Sequence, residues 1–380
     1  MMKKIIWHQV FSNYQVLNFS PNGRKLRLRI KQPLSGKRLA LELCNRYDSF
    51  DLNVESIKIS SDPRTQQSSV ITLDNRPQFI VPAGSTLWTD DLDFSVTKGA
   101  DILIEALFSN EINRVSSSAN LLSDQLVRSN IRETNNFIFG ITSVALETNV
   151  DAKVIAFFGD SLTNQGYFSD SVIDNLNKCG LVATSFNAGI SGNRLTCAGS
   201  GISRWKDSFG VAGINRFQED VVDQKPDLIV SLIGLNDLFH PGTGSPLSEL
   251  PTKEELIKHY KVLMNLAKKA DITFVPLTLP PFNYSYNQGK PSWTEEKEAI
   301  RTAFNQWLMT QENAIDINDM VRDPSDKTRL ASAFDSGDHL HFSQTGGEIL
   351  GKAVAEKILY LSLLSIDRLS IKKTAKNSRK

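Results

Sequence analysis

The chain has 380 residues, of which 40% are hydrophobic and 22% charged, and its formal net charge is +1. This length predicts two domains, and the composition is that of a globular protein, which excludes disordered, collagen-like and coiled-coil classes. A nearly neutral chain lacks the positive field that nucleic acid or an anionic membrane requires, so we expect neither as a partner. A homo-oligomer is compatible with these numbers.

The cysteines and the chain ends carry little functional signal. Cys44, Cys179 and Cys197 do not have the number or spacing of a disulfide framework or a zinc site, so we expect buried free thiols. Residues 1–14 have no apolar core of signal-peptide length, and no run of 18 apolar residues predicts a membrane span. The default compartment is therefore cytoplasmic, with secretion open if a leader was removed. The basic segment 371–380 predicts a disordered tail, with a nucleic-acid-binding arm as the remote alternative.

The front half, residues 1–148, has short apolar runs that alternate with polar residues. Alternation with a period of two indicates half-buried strands, and turn sequences separate the runs. The predicted strands are 26–30, 39–44, 54–59, 70–73, 79–81, 102–108 and 137–146. This rhythm predicts an antiparallel β-sandwich.

The second half, residues 149–370, alternates continuous apolar runs with amphipathic stretches. The predicted strands are 154–158, 181–186, 228–233, 272–277 and 314–317. The predicted helices are 168–176, 214–222, 253–269, 294–309 and 345–361. This pattern predicts a three-layer α/β/α domain with a five-stranded parallel sheet. Ligands of such sheets bind beyond the carboxyl ends of the strands, so we expect the chemistry in those loops.

Four segments in these loops carry residues suited to acyl transfer. Ser161 in GDSLT lies at a strand-to-helix turn, and the glycines of NAGISGN, 187–193, expose backbone N–H groups. Asn236 in GLND can donate to a negative oxygen, and Asp338 in DHLH can orient the imidazole of His341. Taken alone, the Ser161 segment is more often a turn with a helix cap, residues 187–193 are about equally compatible with a plain turn, and Asn236 with a cap. Together they supply a nucleophile, oxyanion donors and a base, which predicts a serine hydrolase.

A metal site is the alternative interpretation of the histidines. His339, His341 and a carboxylate would form it, but the sequence offers no convincing further ligand. We therefore expect no metal and no cofactor.

The blocks GDSLT, NAGISGN, GLND and DHLH, in this order, resemble the four signatures of the SGNH hydrolases, also called the GDSL esterase/lipase superfamily. The resemblance covers residues 153 to about 360, and the G-x-S-x-G pattern of the α/β-hydrolases is absent. It implies a flavodoxin-like catalytic domain that hydrolyses carboxylic esters. The front half resembles, more loosely, the jelly-roll-like sandwich domain of a bacterial subgroup, through its NRYD and VPAG segments and the DSGDHLH run of the second half.

The resemblance also implies roles for particular residues. Ser161 would be the nucleophile, His341 the base and Asp338 the group that orients it. The oxyanion hole would consist of the backbone N–H groups of Ser161 and Gly192 and the side-chain amide of Asn236. The residues in supporting positions would be Asp160, Asp237 and His339.

The substrate is less well defined by the sequence. Arg194 and Trp205 follow the second block, while Tyr284 and Trp293 belong to an aromatic-rich segment, 279–293. All four are candidates for substrate binding, although these aromatic rings could instead pack the segment onto the body or a neighbouring subunit. Phe342 stands where relatives often have proline, which affects the stiffness of the loop.

Relatives with a front sandwich resemble carbohydrate esterases more than lipases. We therefore expect a short-chain acyl ester, such as an acetyl ester, of a carbohydrate or another small polyol. Lysophospholipase or thioesterase action stays open, as does a carbohydrate-binding protein in which hydrolysis is secondary.

Overall fold

The computed structural model describes residues 1–15, 25–61, 68–109, 115–129, 137–199 and 201–377, with only the backbone of 362–377. The strands of the front half are β1 (Met2–Gln9), β2 (Ser12–Asn13), β3 (Lys25–Lys31), β4 (Gly36–Cys44), β5 (Leu52–Ser60), β6 (Ser69–Val70), β7 (Phe79–Val81), β8 (Thr86–Trp88), β9 (Leu92–Val96), β10 (Asp101–Phe108), β11 (Ser117–Asn120), β12 (Val127–Ser129) and β13 (Phe137–Thr148).

Two antiparallel layers form the front half. One layer has the strand order β12-β3-β10-β5-β6, and the other is built around β13, which pairs with β1, β4 and β11. Buried side chains alternate with exposed ones along β3 and with half-buried ones along β10, and the apolar faces of both strands share one core with β4 and β13. The predicted sandwich is therefore confirmed. The strand predicted at 70–73 is shorter, because only Ser69–Val70 pairs with β5.

The strands of the second half are β14 (Lys153–Gly159), β15 (Ala183–Gly189), β16 (Leu228–Leu232), β17 (Thr273–Pro276), β18 (Tyr286–Asn287) and β19 (Lys290–Pro291). Its helices are α1 (Ser161–Asn164), α2 (Tyr167–Lys178), α3 (Gly213–Asp220), α4 (Leu235–Phe239), α5 (Lys253–Lys269), α6 (Glu295–Leu308), α7 (Ile317–Val321) and α8 (Gln344–Asn377). The start of α5 is well defined by its sequence, because Thr252 and Glu255 form a reciprocal capping box there.

The parallel part of the sheet has the order β17-β16-β14-β15-β1. Helices cover both of its faces: Phe157 packs against Phe168 of α2, whereas its neighbour Phe158 packs against Phe217 of α3. Consecutive residues of a strand point to opposite faces, so α2 and α3 lie on opposite sides. This confirms the predicted α/β/α layering.

The fifth parallel strand is not the predicted one. Residues 314–317 contribute only an isolated bridge between Leu277 and Ile315. Instead, Trp7–Gln9 of β1 runs parallel to Ser185–Asn187 of β15, while β1 also pairs antiparallel with β13. One sheet therefore continues through both halves of the chain. The division at 148/149 falls directly after β13 and stays a prediction.

One further expectation is corrected and one stays a prediction. Helix α8 continues to Asn377, 378–380 lie outside the described residues, and the disordered tail at 371–380 stays a prediction. The cysteines are free, but only Cys44 is buried; Cys179 is exposed and Cys197 half-buried, because each of the latter two lies in or beside a surface turn.

The described residues contain neither a candidate membrane span nor a candidate metal cluster. None of the helices is long and apolar enough to cross a membrane. No group of three or more histidine, cysteine or acidic side chains with the arrangement of a metal site was found in the same residues.

Candidate active site

The nucleophile candidate lies where β14 ends. Asp160 caps α1 by accepting a hydrogen bond from the backbone N–H of Leu162 at 3.0 Å, which holds Ser161 at the first helical position. Asp160 is 1% exposed, and burial raises the pKa of its carboxyl group to about 7. This carboxyl group therefore supports the turn and is poorly suited to carry a permanent charge.

Ser161, His341 and Asp338 form a continuous hydrogen-bonded series. His341 Nε2 lies 2.8 Å from Ser161 Oγ, and His341 Nδ1 lies 2.6 Å from Asp338 Oδ2. Asp338 Oδ1 also accepts from the backbone N–H groups of Leu340 and His341. Burial opposes ionisation of Asp338, but its hydrogen bonds and the nearby His341 outweigh burial and lower its pKa. An ionised Asp338 leaves the proton of His341 on Nδ1, so Nε2 can accept the serine proton.

His339 belongs to a separate pair. Its Nδ1 lies 2.6 Å from Asp335 Oδ2, and its backbone N–H donates to Asp335 Oδ1 at 3.0 Å. His339 adopts a left-handed conformation with φ of +62°. The two pairs thus occupy one loop, but only His341 contacts the serine among the described side chains.

The proposed oxyanion donors come from the loops after β15 and β16. Gly192 has φ of +76°, and a Cβ there would lie 2.1 Å from the ring of Phe209, so glycine is required. The side-chain nitrogen of Asn236 donates to Asn193 O at 3.2 Å. An amide NH₂ group has two hydrogens, so the second is left for a negative oxygen.

Asp237 fixes the loop that carries Asn236. Its carboxylate accepts from the backbone N–H groups of Leu195 and Thr196, at 2.6 and 2.8 Å, and from the Thr196 hydroxyl at 2.6 Å. Asp237 therefore ties the loop after β16 to the loop after β15, which is the supporting position expected from the sequence.

Arg216 is a supporting residue that the sequence analysis missed. This buried guanidinium donates to Gly159 O at 2.9 Å, to Ala188 O at 2.8 Å and to Asn193 Oδ1 at 2.9 Å. It therefore joins the ends of β14 and β15 to the loop that carries Gly192. The sequence offers little indication of this role, because a single arginine in an amphipathic helix is ordinarily expected on its exposed face.

His240 is a second such residue. Its Nδ1 lies 3.2 Å from the side-chain nitrogen of Asn287, which can only donate, so Nε2 carries the proton. That Nε2 lies 3.3 Å from Gly192 O, and the ring stacks on Phe209 at 4.9 Å. Burial lowers the pKa of His240 to about 4, so the ring stays neutral and supports the loop rather than moving protons.

A cavity of about 480 Å³ opens beside Ser161. Its lining includes the described side chains Tyr14, Asn120, Phe137, Gln165, Ser191, Trp205, Phe209, Phe239, Asn287, Gln288, Leu340 and His341. A larger cavity, of about 940 Å³, lies at the opposite edge of the sheet, where β14, β16 and β17 begin. It is remote from the serine.

Of the four predicted substrate-binding residues, Trp205 lines the cavity and the other three do not. Arg194 is buried and forms an ion pair with Glu249 at 2.6 Å. Tyr284 is exposed, with its hydroxyl 3.4 Å from Asp326 Oδ2. Trp293 donates to Glu298 at 3.2 Å. These three side chains have partners of their own outside the lining of the cavity, and a role for them in substrate binding stays a prediction.

The fold and the site together define a hydrolase with an SGNH-type catalytic domain that acts on esters. The sequence model of the GDSL-like lipase/acylhydrolase family matches residues 155–354, which is more than half of the chain. The protein belongs to this family. The resemblance stated from the four blocks is thereby confirmed.

The solved structures that match the chain have low sequence identity to it. Est24, a carbohydrate acetylesterase from Sinorhizobium meliloti, is 15% identical, with a TM-score of 0.41, over 55% of this chain and 99% of its own. A GDSL-like lipase from Bacteroides thetaiotaomicron is 16% identical, with a TM-score of 0.40, over 55% and 89%. An acetyl xylan esterase variant from Geobacillus stearothermophilus is 22% identical, with a TM-score of 0.39, over 54% and 94%. A comparison with curated proteins finds no match.

Proposed function

We propose that the protein is a serine esterase that hydrolyses a short-chain acyl ester, such as an acetyl ester, of a carbohydrate or another small polyol. The observation that carries the proposal is the hydrogen-bonded series from Asp338 through His341 to Ser161. Such a series activates a serine hydroxyl for attack on a carbonyl carbon.

The reaction has two halves. His341 takes the proton of Ser161 Oγ as this oxygen attacks the ester carbonyl. The negative oxygen that develops is held by the backbone N–H groups of Ser161 and Gly192 and by the Asn236 amide. His341 then protonates the departing alcohol as its C–O bond breaks, which leaves an acyl-enzyme. Water repeats these steps and releases the acid and the free serine.

The volume and the lining of the cavity favour a substrate with a short acyl group and a bulky alcohol portion. A single water molecule, with one heavy atom, occupies about 30 Å³. An acetyl group has only three heavy atoms, so it fills a small part of the cavity of about 480 Å³. The remaining lining combines aromatic rings with side-chain amides of Asn120, Gln165, Asn287 and Gln288. Amides can both donate to and accept from hydroxyl groups, which suits a polyol better than an aliphatic tail.

The test is hydrolysis of p-nitrophenyl esters from acetyl to decanoyl, followed by acetylated monosaccharides, with Ser161→Ala as the control. We expect activity that falls steeply beyond butyryl, that extends to the sugar acetates, and that is lost in Ser161→Ala. A preference for long chains would overturn the short-acyl proposal in favour of lipid or thioester substrates. Equal activity in Ser161→Ala would overturn the assignment of the nucleophile.

A further inference from the structure

The cavity beside Ser161 is lined partly by the front half of the chain. Tyr14 follows β2, Asn120 ends β11 and Phe137 begins β13, and all three line the same cavity as Ser161 and His341. The family match begins at residue 155, so these three side chains lie outside it. The cavity therefore has a component that the family resemblance does not account for.

Tyr14, Phe137 and Trp205 form a cluster of rings that we call the aromatic wall. The Tyr14 ring lies 4.7 Å from the Phe137 ring at an interplanar angle of 68°, and 6.2 Å from the Trp205 ring at 70°. Edge-to-face contacts of this kind favour defined ring positions. Tyr14 is the central member, and two of the three rings come from the front half.

Hydrogen bonds on both sides fix the position of Tyr14. Its backbone N–H donates to Ser116 O at 2.8 Å within the front half. The nearby Ser12 hydroxyl donates to Ser208 O at 2.7 Å in the second half. The Tyr14 hydroxyl contacts Ser191, and burial raises its pKa to about 12, so it remains protonated as a polar contact. Tyr14 is itself only 4% exposed, so it shapes the binding surface mainly by fixing the half-buried rings of Phe137 and Trp205.

The contact with Ser191 also connects the aromatic wall to the reacting groups. Ser191 precedes Gly192, and its hydroxyl donates to Asn164 Oδ1 at 3.1 Å. Asn164 ends helix α1, which begins at Ser161. The aromatic wall thus adjoins both the nucleophile helix and the loop of the oxyanion donor.

We propose that the aromatic wall is the subsite for the ring of the substrate's alcohol portion, so that Tyr14 of the front half determines specificity. This inference depends on the proposed function, because only a short acyl group leaves most of the cavity to the alcohol. A saturated ring presents C–H groups on its faces, which pack on aromatic side chains. Its hydroxyls would meet the amides of Asn120 and Gln165, which line the same cavity.

The test compares a ring acetate, β-D-glucose pentaacetate, with ethyl acetate, whose alcohol is too small to reach across the cavity. Tyr14→Leu should lower the ratio of kcat/KM for the ring acetate over ethyl acetate by about tenfold, mainly through KM, because the packing of the substrate ring on the aromatic wall is lost. Tyr14→Phe, which keeps the ring, should retain most of the ratio.

Phe108→Leu is the control, because it removes a buried ring from the front-half core without touching the cavity. It should lower stability and leave the ratio unchanged. An unchanged ratio in Tyr14→Leu, or an equal fall in Phe108→Leu, would overturn the proposal. Cyclohexyl acetate separates the two hypotheses: if sugar acetates are not substrates, the proposed function fails, and a ratio for cyclohexyl acetate that still depends on Tyr14 upholds the aromatic wall.

Discussion

Two aspartate–histidine pairs lie within seven residues of one loop. They differ in which partner, the imidazole or the carboxylate, is the more exposed. In each pair the histidine Nδ1 lies 2.6 Å from a carboxylate oxygen. In the pair of Asp338 and His341 the imidazole is the less exposed partner, with 24% against 52%. In the pair of Asp335 and His339 the order is reversed, with 43% for the imidazole and 10% for the carboxylate.

A carboxylate that orients an imidazole does not by itself make that imidazole a general base. The second ring nitrogen must also lie within reach of a nucleophile. Both carboxylates accept a histidine N–H, so both can fix a tautomer. Only His341 has its second nitrogen within hydrogen-bond distance of a nucleophile, at 2.8 Å from Ser161 Oγ. The spacing also differs, since Asp338 and His341 are three residues apart and Asp335 and His339 four. Asp335 accepts two backbone N–H groups, as Asp338 does, and helps to shape the loop.

The largest effect is expected from removing the base of one pair and not the other. His341→Gln should lower kcat by on the order of 10⁴-fold or more, because it removes the nitrogen that lies within hydrogen-bond distance of Ser161 Oγ and takes its proton. His339→Gln should lower it by less than about tenfold, through loop geometry alone. Steady-state kinetics on p-nitrophenyl acetate measure both. Similar losses in the two variants would contradict the assignment of His341 as the base.

Replacing the carboxylates gives the next largest difference. Asp338→Asn should lower kcat by about 10³–10⁴-fold, because an amide favours the wrong tautomer of His341 and cannot stabilise the imidazolium. Asp335→Asn should instead lower the melting temperature and leave kcat within about tenfold, since its remaining oxygen still accepts the two backbone N–H groups and only the acceptor for His339 Nδ1 is lost. Kinetics and thermal unfolding of both variants check this. A fall in kcat for Asp335→Asn as large as that for Asp338→Asn would remove the distinction between the pairs.

The sequence can indicate where these site residues lie because each is in a loop that directly follows a predicted element, although their roles stay predictions. Ser161, Gly192 and Asn236 follow three predicted strands, and parallel strands bring their carboxyl ends to one edge. The alternation of strands, loops and helices in the sequence therefore predicts that these three residues meet at one edge of the sheet. It also identifies α5 with the observed bounds, Lys253–Lys269, since the periodicity and the capping box agree.

The sequence does not predict the features that depend on distant contacts. Strand β1 has no clear alternation, and it pairs with residues about 140 positions away, such as Met2 with Thr148. Tyr14 reaches the cavity only because β1 joins the two halves into one sheet. Conversely, Arg194 looked like a cleft residue because it follows a catalytic block, and its partner Glu249 was not visible from local sequence.

A smaller catalytic effect is expected at the oxyanion hole. Asn236→Ala should lower kcat by about 10²–10³-fold with little change in KM, because the amide acts on charge that develops only in the transition state. His341 and Ser161 remain in place, so the residual activity should still depend on the serine. The double variant with Ser161→Ala checks that dependence. A kcat equal to that of the wild type would show that Asn236 is not an oxyanion donor.

Asp160 is a third carboxyl group near the site and differs from the other two in being almost fully buried. Its Oδ2 has no hydrogen-bond partner in the described part of the chain. Burial raises its pKa to about 7, against about 3.9 in an unfolded chain. Between these values the folded state holds a proton that the unfolded state has lost. Stability is therefore fully present below about pH 4 and is lost as the pH rises towards 7, by at most about 1.4 kcal/mol per pH unit.

Asp160→Asn should abolish this dependence, because asparagine does not titrate. Urea unfolding at pH 4.5, 5.5 and 6.5 should show the variant gaining roughly 2–3 kcal/mol relative to the wild type across the series. Asp323→Asn is the control: hydrogen bonds from Ser325 lower the pKa of Asp323 to about 2, so this carboxylate is ionised throughout the range. Its stability should parallel that of the wild type. A parallel result for Asp160→Asn would mean that Asp160 is ionised in the folded protein, and its charge would then have to be balanced by Arg216 or His341.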